Sequence, residues 1–184
     1  YLYDGATLTQ VTDADLGTVV DFIWVDGYFM TTDGEFLVVT ELNDPFAVNP
    51  LKYGSSEADP DPVKALLKLR GEPVALNRHT IEFFQNISGS LFPFQRSEGA
   101  QIQRGTIGTH CCCVFMESIA FLGGGRNESP AVWIGTNGSS VKLSTREVDT
   151  VLAEFTETEL STVVMEARVD KGHEHLYVHL PDRT

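Results

Sequence analysis

The run Val19–Val25, Asp26-Gly27, Tyr28–Thr32, Asp33-Gly34, Glu35–Leu42 decides the fold. Three apolar segments of strand length are separated by two Asp-Gly pairs. Glycine accepts positive φ without steric cost, so Asp-Gly between such segments is among the strongest local signals for a tight hairpin. Residues 19–42 therefore read as a three-stranded antiparallel meander. Asp26 and Asp33 have a backbone reason to sit where they do, since Asp side chains bond their own turn.

The same grammar recurs downstream. Val63–Leu69, Arg70-Gly71-Glu72, Pro73–Leu76, Asn77-Arg78 and Thr80–Phe84 read as strand, turn, strand, turn, strand. A third unit starts at His110–Phe115, passes through Ser118–Leu122, breaks at Gly123-Gly124-Gly125 and resumes at Ala131–Thr136 and Val141–Leu143. A fourth runs from Val163–Val169 through Asp170-Lys171-Gly172 to His175–Leu180. Their starts are spaced close to the roughly 40–50 residues of a propeller blade. The expected fold is all-β: a partial or irregular β-propeller-like array of antiparallel meanders with one short inserted helix, residues 1–184 forming a single β-rich domain.

That helix is read at Ser144-Thr145-Arg146-Glu147, a capping-box pattern followed by Val148, Val151, Leu152 and Phe155 at helical spacing. Thr156 is expected to cap a second short turn over Glu157–Leu160. Two stretches, Asn43–Pro62 and Gln85–Gly108, read as long loops, the first too rich in proline for a strand. Long loops of this kind usually carry function or bind partners. Phe46, Asp59, Asp61, Phe92 and Phe94 in them are the candidate partner contacts, with the alternative that the phenylalanines staple the loops to the core.

Composition excludes several classes. The 184 residues carry 26 acidic against 13 basic side chains, a net charge of −13. Gripping a phosphate backbone needs clustered Lys and Arg, so sequence-specific DNA binding is not expected. No apolar run reaches the roughly 18–20 residues that cross a bilayer, and no charged-then-apolar leader opens the chain. All three cysteines are consecutive, Cys111, Cys112 and Cys113. They match no zinc spacing and read as small hydrophobes in a buried strand, which favours an intracellular origin.

Chemistry-bearing constellations are sparse. His175, Tyr177 and His179 share one face of the last strand, opposite Leu176, Val178 and Leu180, and His173 lies nearby; two such histidines make a weak metal case. Asp26, Asp33, Asp61 and Glu82 are the acids that a glycosidase pair would draw on, Glu82 being placed on a polar strand face. There is no nucleophile elbow, and Gly123-Gly124-Gly125 lacks the Lys-Ser/Thr of a phosphate loop. Sequons at Asn86, Asn127 and Asn137 are expected by chance. No catalytic residue, metal site or cofactor is assigned.

Several segments, in order, resemble the packaged-DNA stabilization family of short-tailed phages. They are Asp26-Gly27-Tyr28-Phe29, Leu42-Asn43-Asp44-Pro45, Ser56-Glu57-Ala58-Asp59-Pro60-Asp61 and Thr80-Ile81-Glu82-Phe83-Phe84-Gln85-Asn86. Later come Gly105-Thr106-Ile107-Gly108-Thr109, Val164-Met165-Glu166-Ala167, His173-Glu174 and His179-Leu180-Pro181. The resemblance implies a structural tail hub or nozzle without catalytic residues. Such a protein is made in the host cytoplasm and assembled into the virion as a homo-oligomeric ring. It sits below the portal and its adaptor and closes the DNA exit with a needle or fibre protein. Family members are longer, so the chain is expected to be a fragment of a tail protein. The rival readings are a propeller-type glycan-active enzyme using Asp26, Asp33 or Glu82, and a receptor-binding module using the two long loops.

Overall fold

The computed structural model describes residues 1–56 and 61–181. A small hairpin of β1 (Leu2–Tyr3) and β2 (Leu8–Thr9) and a 3-10 turn at Ala14–Leu16 precede the first sheet. That sheet is the expected meander: β3 (Asp21–Val25), β4 (Tyr28–Thr32) and β5 (Phe36–Glu41), each antiparallel to the next. Asp26 and Gly27 both take positive φ, 50° and 84°, the pairing a two-residue hairpin needs. Asp33 Oδ1 accepts from the amides of Glu35 and Phe36.

The sheet has a fourth strand where a loop was expected. Asp44–Ser55 forms β6, antiparallel to β5 and at the edge of the sheet. Its prolines do not forbid this, because the pairing shifts register twice, between the partners of Glu41 and Thr40 and again between those of Thr40 and Val38. Pro45 falls within the first irregularity and Pro50 within the second. Edge strands and bulges are where a residue without an N–H is tolerated.

The second sheet is β7 (Val63–Leu69), β8 (Glu72–Asn77), β9 (Ile81–Asn86) and β10 (Phe94–Arg96) in chain order. Its last strand lies inside the other expected loop, as do β11 (Gly105–Thr106) and the Ile102 bridge to Ile81. Those strands are too short for an alternation to show in the sequence. The third sheet joins β12 (Cys112–Phe115), β13 (Ser118–Gly124), β14 (Ala131–Thr136) and β15 (Ser139–Lys142), with β11 beside the far end of β13.

Gly123 and Gly124 do not break this strand; they finish it. A Cβ on Gly123 would lie 1.8 Å from the Gly105 carbonyl oxygen, so glycine here admits the backbone of β11. The turn itself begins at Gly125, whose carbonyl accepts the Glu128 amide, and the flanking turns use Met116 and Glu117, both at positive φ, and Asn137-Gly138.

The helix α1 (Arg146–Leu152) and the turn α2 (Glu157–Leu160) lie where expected. Thr156 heads a complete capping box with Glu159. The first box is not made: Thr145 is the N-cap but its side chain bonds the Glu147 carboxylate rather than a helix amide, and Ser144 bonds Asp149 Oδ1 at 2.6 Å. Of its apolar residues Leu152 is buried, whereas Val148 stays exposed. The chain closes on β16 (Val164–Asp170) and β17 (His173–His179), a two-stranded sheet.

The core sits between consecutive sheets. Val25, Met30, Leu37 and Val39 meet Val63, Leu66, Phe84 and Phe94 between the first and second. Ala65, Leu69, Phe83 and Ile81 meet Ile119, Phe121 and Trp133 between the second and third. Phe115, Ala120, Leu122 and Val132 meet Leu152, Leu160 and Met165, with Leu176 and Val178 packed against them, at the third junction. The first strands of the four sheets also adjoin in turn: β3 lies against β7, β7 against β12, and β12 against β16. The chain is thus an array of antiparallel sheets stacked face to face with their first strands side by side.

Candidate functional site

The stacking brings Asp21, at the start of β3, towards His110 and Cys112, at the start of β12. Asp21 Oδ2 accepts the Leu66 amide of the neighbouring sheet at 2.7 Å, and Oδ1 accepts its own sheet's Phe22 amide at 2.9 Å. Burial pushes the Asp21 carboxyl above its ordinary value, with those two amides and the charge of His110 opposing. Carboxylate, imidazole and thiol are the ingredients of a cysteine nucleophile, but the electrostatics run the wrong way. Burial raises the Cys112 thiol well above the usual range, and the Asp21 charge raises it further. Burial also pushes Cys111 and Cys113 up to about 11. A reactive cysteine needs the opposite, a depressed pKa and access. Cys111 Sγ rests on the carbonyl oxygens of Leu160 and Val163, fixing the entry to β16 against the third sheet. The cysteines are packing groups, as their composition suggested.

The acids singled out for glycan chemistry do not converge. Asp26 and Asp33 occupy turns at opposite ends of β4, whose five residues span about 17 Å. A glycosidase pair lies within roughly 5–9.5 Å. Asp26 Oδ2 accepts from Asn86 Nδ2 of the second sheet, and Asp61 Oδ2 accepts the His79 amide. Glu82 is not on a polar face: it is fully buried opposite Ala75, with Arg96 Nη1 3.8 Å from its Oε2. Its strand carries Phe84 on that same side, towards the first sheet, so β9 is covered on both faces.

The candidate contact residues separate into groups. Phe94 is 4% exposed and packs edge-on against Tyr28, 5.8 Å between ring centroids, so it staples its loop and presents nothing outward. Phe92 is half-buried, edge-on to Phe94 and pressed against Gly54, where a Cβ would strike its ring. Phe46 is exposed, and Asp61 is half-buried. Asp59 lies outside the described residues.

The last hairpin alternates as read. His173, His175, Tyr177 and His179 form a row of rings about 6.3–6.4 Å apart on its outer face, with Glu166 bonded to His179 Nε2 at 2.8 Å and Arg168 stacked over Tyr177. Hydrogen bonds from His179 and then Arg168 hold the Glu166 carboxyl below its ordinary value. No group of three or more metal-ligating side chains comes together among the described residues.

A surface that sequence reading missed lies on the free face of the first sheet. Val11, Leu16, Val19, Phe22, Phe29 and Pro45 line an apolar cleft of about 250 Å³ under the N-terminal segment. Phe22 and Trp24 are more than half exposed on β3. The signal was present: Phe22-Ile23-Trp24 is apolar on both strand faces, which a sheet covered on one side does not need.

Comparison with known proteins adds the remaining observations. Residues 1–184 match the family described as Bacteriophage P22 Gp10, beta-propeller. The tail hub protein gp10 of Salmonella phage P22 is 29% identical over 199 residues, covering 98% of this chain and 41% of that protein. The chain thus spans about two fifths of the length of the curated relative it matches.

Proposed function

The chain belongs to the Bacteriophage P22 Gp10 β-propeller family, and from that premise we propose that it is part of a structural tail component that helps retain packaged DNA below the portal. The observation that carries this reading is the match over residues 1–184 to a family whose curated relative is a tail hub protein. The absence of converging catalytic groups among the described residues is compatible with it. The partners are the portal-adaptor ring and a needle or fibre protein, and the whole protein forms a homo-oligomeric ring in the virion. A ring of identical subunits uses heterologous contacts that close only when the rotation fits. The excess of acids keeps the wall from adhering to DNA, which needs cationic clusters to bind.

The test is peptide mass spectrometry on purified virions, comparing full particles with heads that have lost their DNA. Peptides of this chain are expected at one ring's stoichiometry in full particles and depleted in leaky heads. Absence from virions overturns the tail reading, whereas presence in both particle types at equal amounts overturns the retention role alone.

A further inference from the structure

A buried polar node sits where the chain passes from the first sheet to the second. Ser56 follows β6, Asn77 ends β8 and Thr80 precedes β9, and all three are buried. Asn77 Nδ2 gives one hydrogen to Ser56 Oγ at 2.8 Å and the other to Thr80 Oγ1 at 2.9 Å. Its Oδ1 is equally buried, and no donor among the described residues reaches it.

Turning the amide over does not repair the deficit. The oxygen would then take the two hydroxyl hydrogens, while both N–H hydrogens would be left without acceptors. The orientation found leaves one acceptor short instead of two donors. Interiors fill such a shortfall with water when a second polar partner is at hand. Thr80 supplies it, because its hydroxyl accepts from Asn77 and still has a hydrogen of its own to give.

We propose that Asn77 Oδ1 accepts a hydrogen bond from a buried water that Thr80 Oγ1 also holds, a hydration site that completes the polar node whose Asn77–Ser56 bond ties the second sheet to the end of the first. Water suits the node better than a cation. Asp61, the carboxylate held at the adjoining His79 turn, is already bonded to the His79 amide, and the node's other groups are neutral. Hard cations want several oxygen ligands at once.

The experiment is a crystal structure of the protein from rubidium-containing solution, sharp enough to place single waters. It is paired with water-to-amide cross-relaxation spectra of the wild type and Asn77→Leu. Expected are a peak within hydrogen-bond reach of Asn77 Oδ1 and Thr80 Oγ1 without anomalous signal, and a long-lived water cross-peak at Thr80 that Asn77→Leu loses. An anomalous rubidium peak, a backbone N–H of residues 57–60 donating to Oδ1, or an empty site would each overturn the proposal.

Discussion

The second sheet and the closing hairpin are built from similar lengths of strand, yet they obey opposite rules. In the second sheet Leu66 and Phe84 face the first sheet while Leu69 and Phe83 face the third, so apolar residues run on without alternation. A sheet covered on both faces requires this. In β16 and β17 the inward Met165, Ala167, Leu176 and Val178 alternate with Glu166, Arg168, His175, Tyr177 and His179. Among the described residues that hairpin packs against the third sheet and its helices, and its outer face carries rings and charges instead of core.

The largest test of this contrast is a pair of truncations. Phe121→Ala, in the junction between the second and third sheets, is expected to cost about 3–5 kcal/mol. Tyr177→Ala on the hairpin's outer face is expected to cost less than about 1 kcal/mol, having far less buried surface to lose. Urea unfolding of both checks it; equal losses would break the comparison.

Next is the backbone approach in the third sheet. Gly123→Ala drives a Cβ into the Gly105 carbonyl, and overpacking of this kind is expected to cost about 1–3 kcal/mol. Gly172→Ala meets nothing within 4 Å in the hairpin turn, so its cost is confined to the strain of positive φ. Denaturant midpoints of the two variants separate steric from conformational cost.

Smaller again is the difference between the two helix starts that pack against the third sheet. Thr156→Ala removes a made capping box and is expected to lose about 1 kcal/mol. Thr145→Ala removes no cap bond and is expected to lose only a few tenths. Thermal melts of the two variants check this.

The smallest effect concerns Asp21, which joins the first two sheets. Its folded pKa is raised by burial, so the folded state holds the proton more tightly than the unfolded chain. Its contribution is then fully present below the ordinary value of 3.8 and is lost as pH rises through the raised folded value. Asp21→Asn keeps only one of the two amide bonds and cannot titrate, so it is expected to be less stable than wild type at every pH, with the gap widening as pH falls through that window. Melting temperatures against pH for both proteins check the sign; a gap that narrows on acidification would overturn it.

Reading the sequence found the hairpins wherever turn chemistry was explicit, at Asp26-Gly27, Asp33-Gly34, Arg70-Gly71 and Lys171-Gly172. It left Met116-Glu117 between two runs without a turn signal, because these residues carry no preference for positive φ and are held there by the strands they join. It missed β6 because proline content was weighed without knowing that the strand lies at an edge. Glu82 was placed outward because its neighbours leave a face open to either reading, and only the overlying sheet closes it.

The sequence by itself determined the antiparallel all-β class, the four-unit rhythm, the helix inserted before the last hairpin and the family, because turns, periodicity and motif order are local. Tertiary structure alone decided which strand faces are covered, how β11 lies against Gly123, and that Asp21, His110 and Cys112 meet without making a nucleophile. The physical reason is that desolvation and backbone approach depend on what packs opposite a residue, and that partner comes from a distant part of the chain.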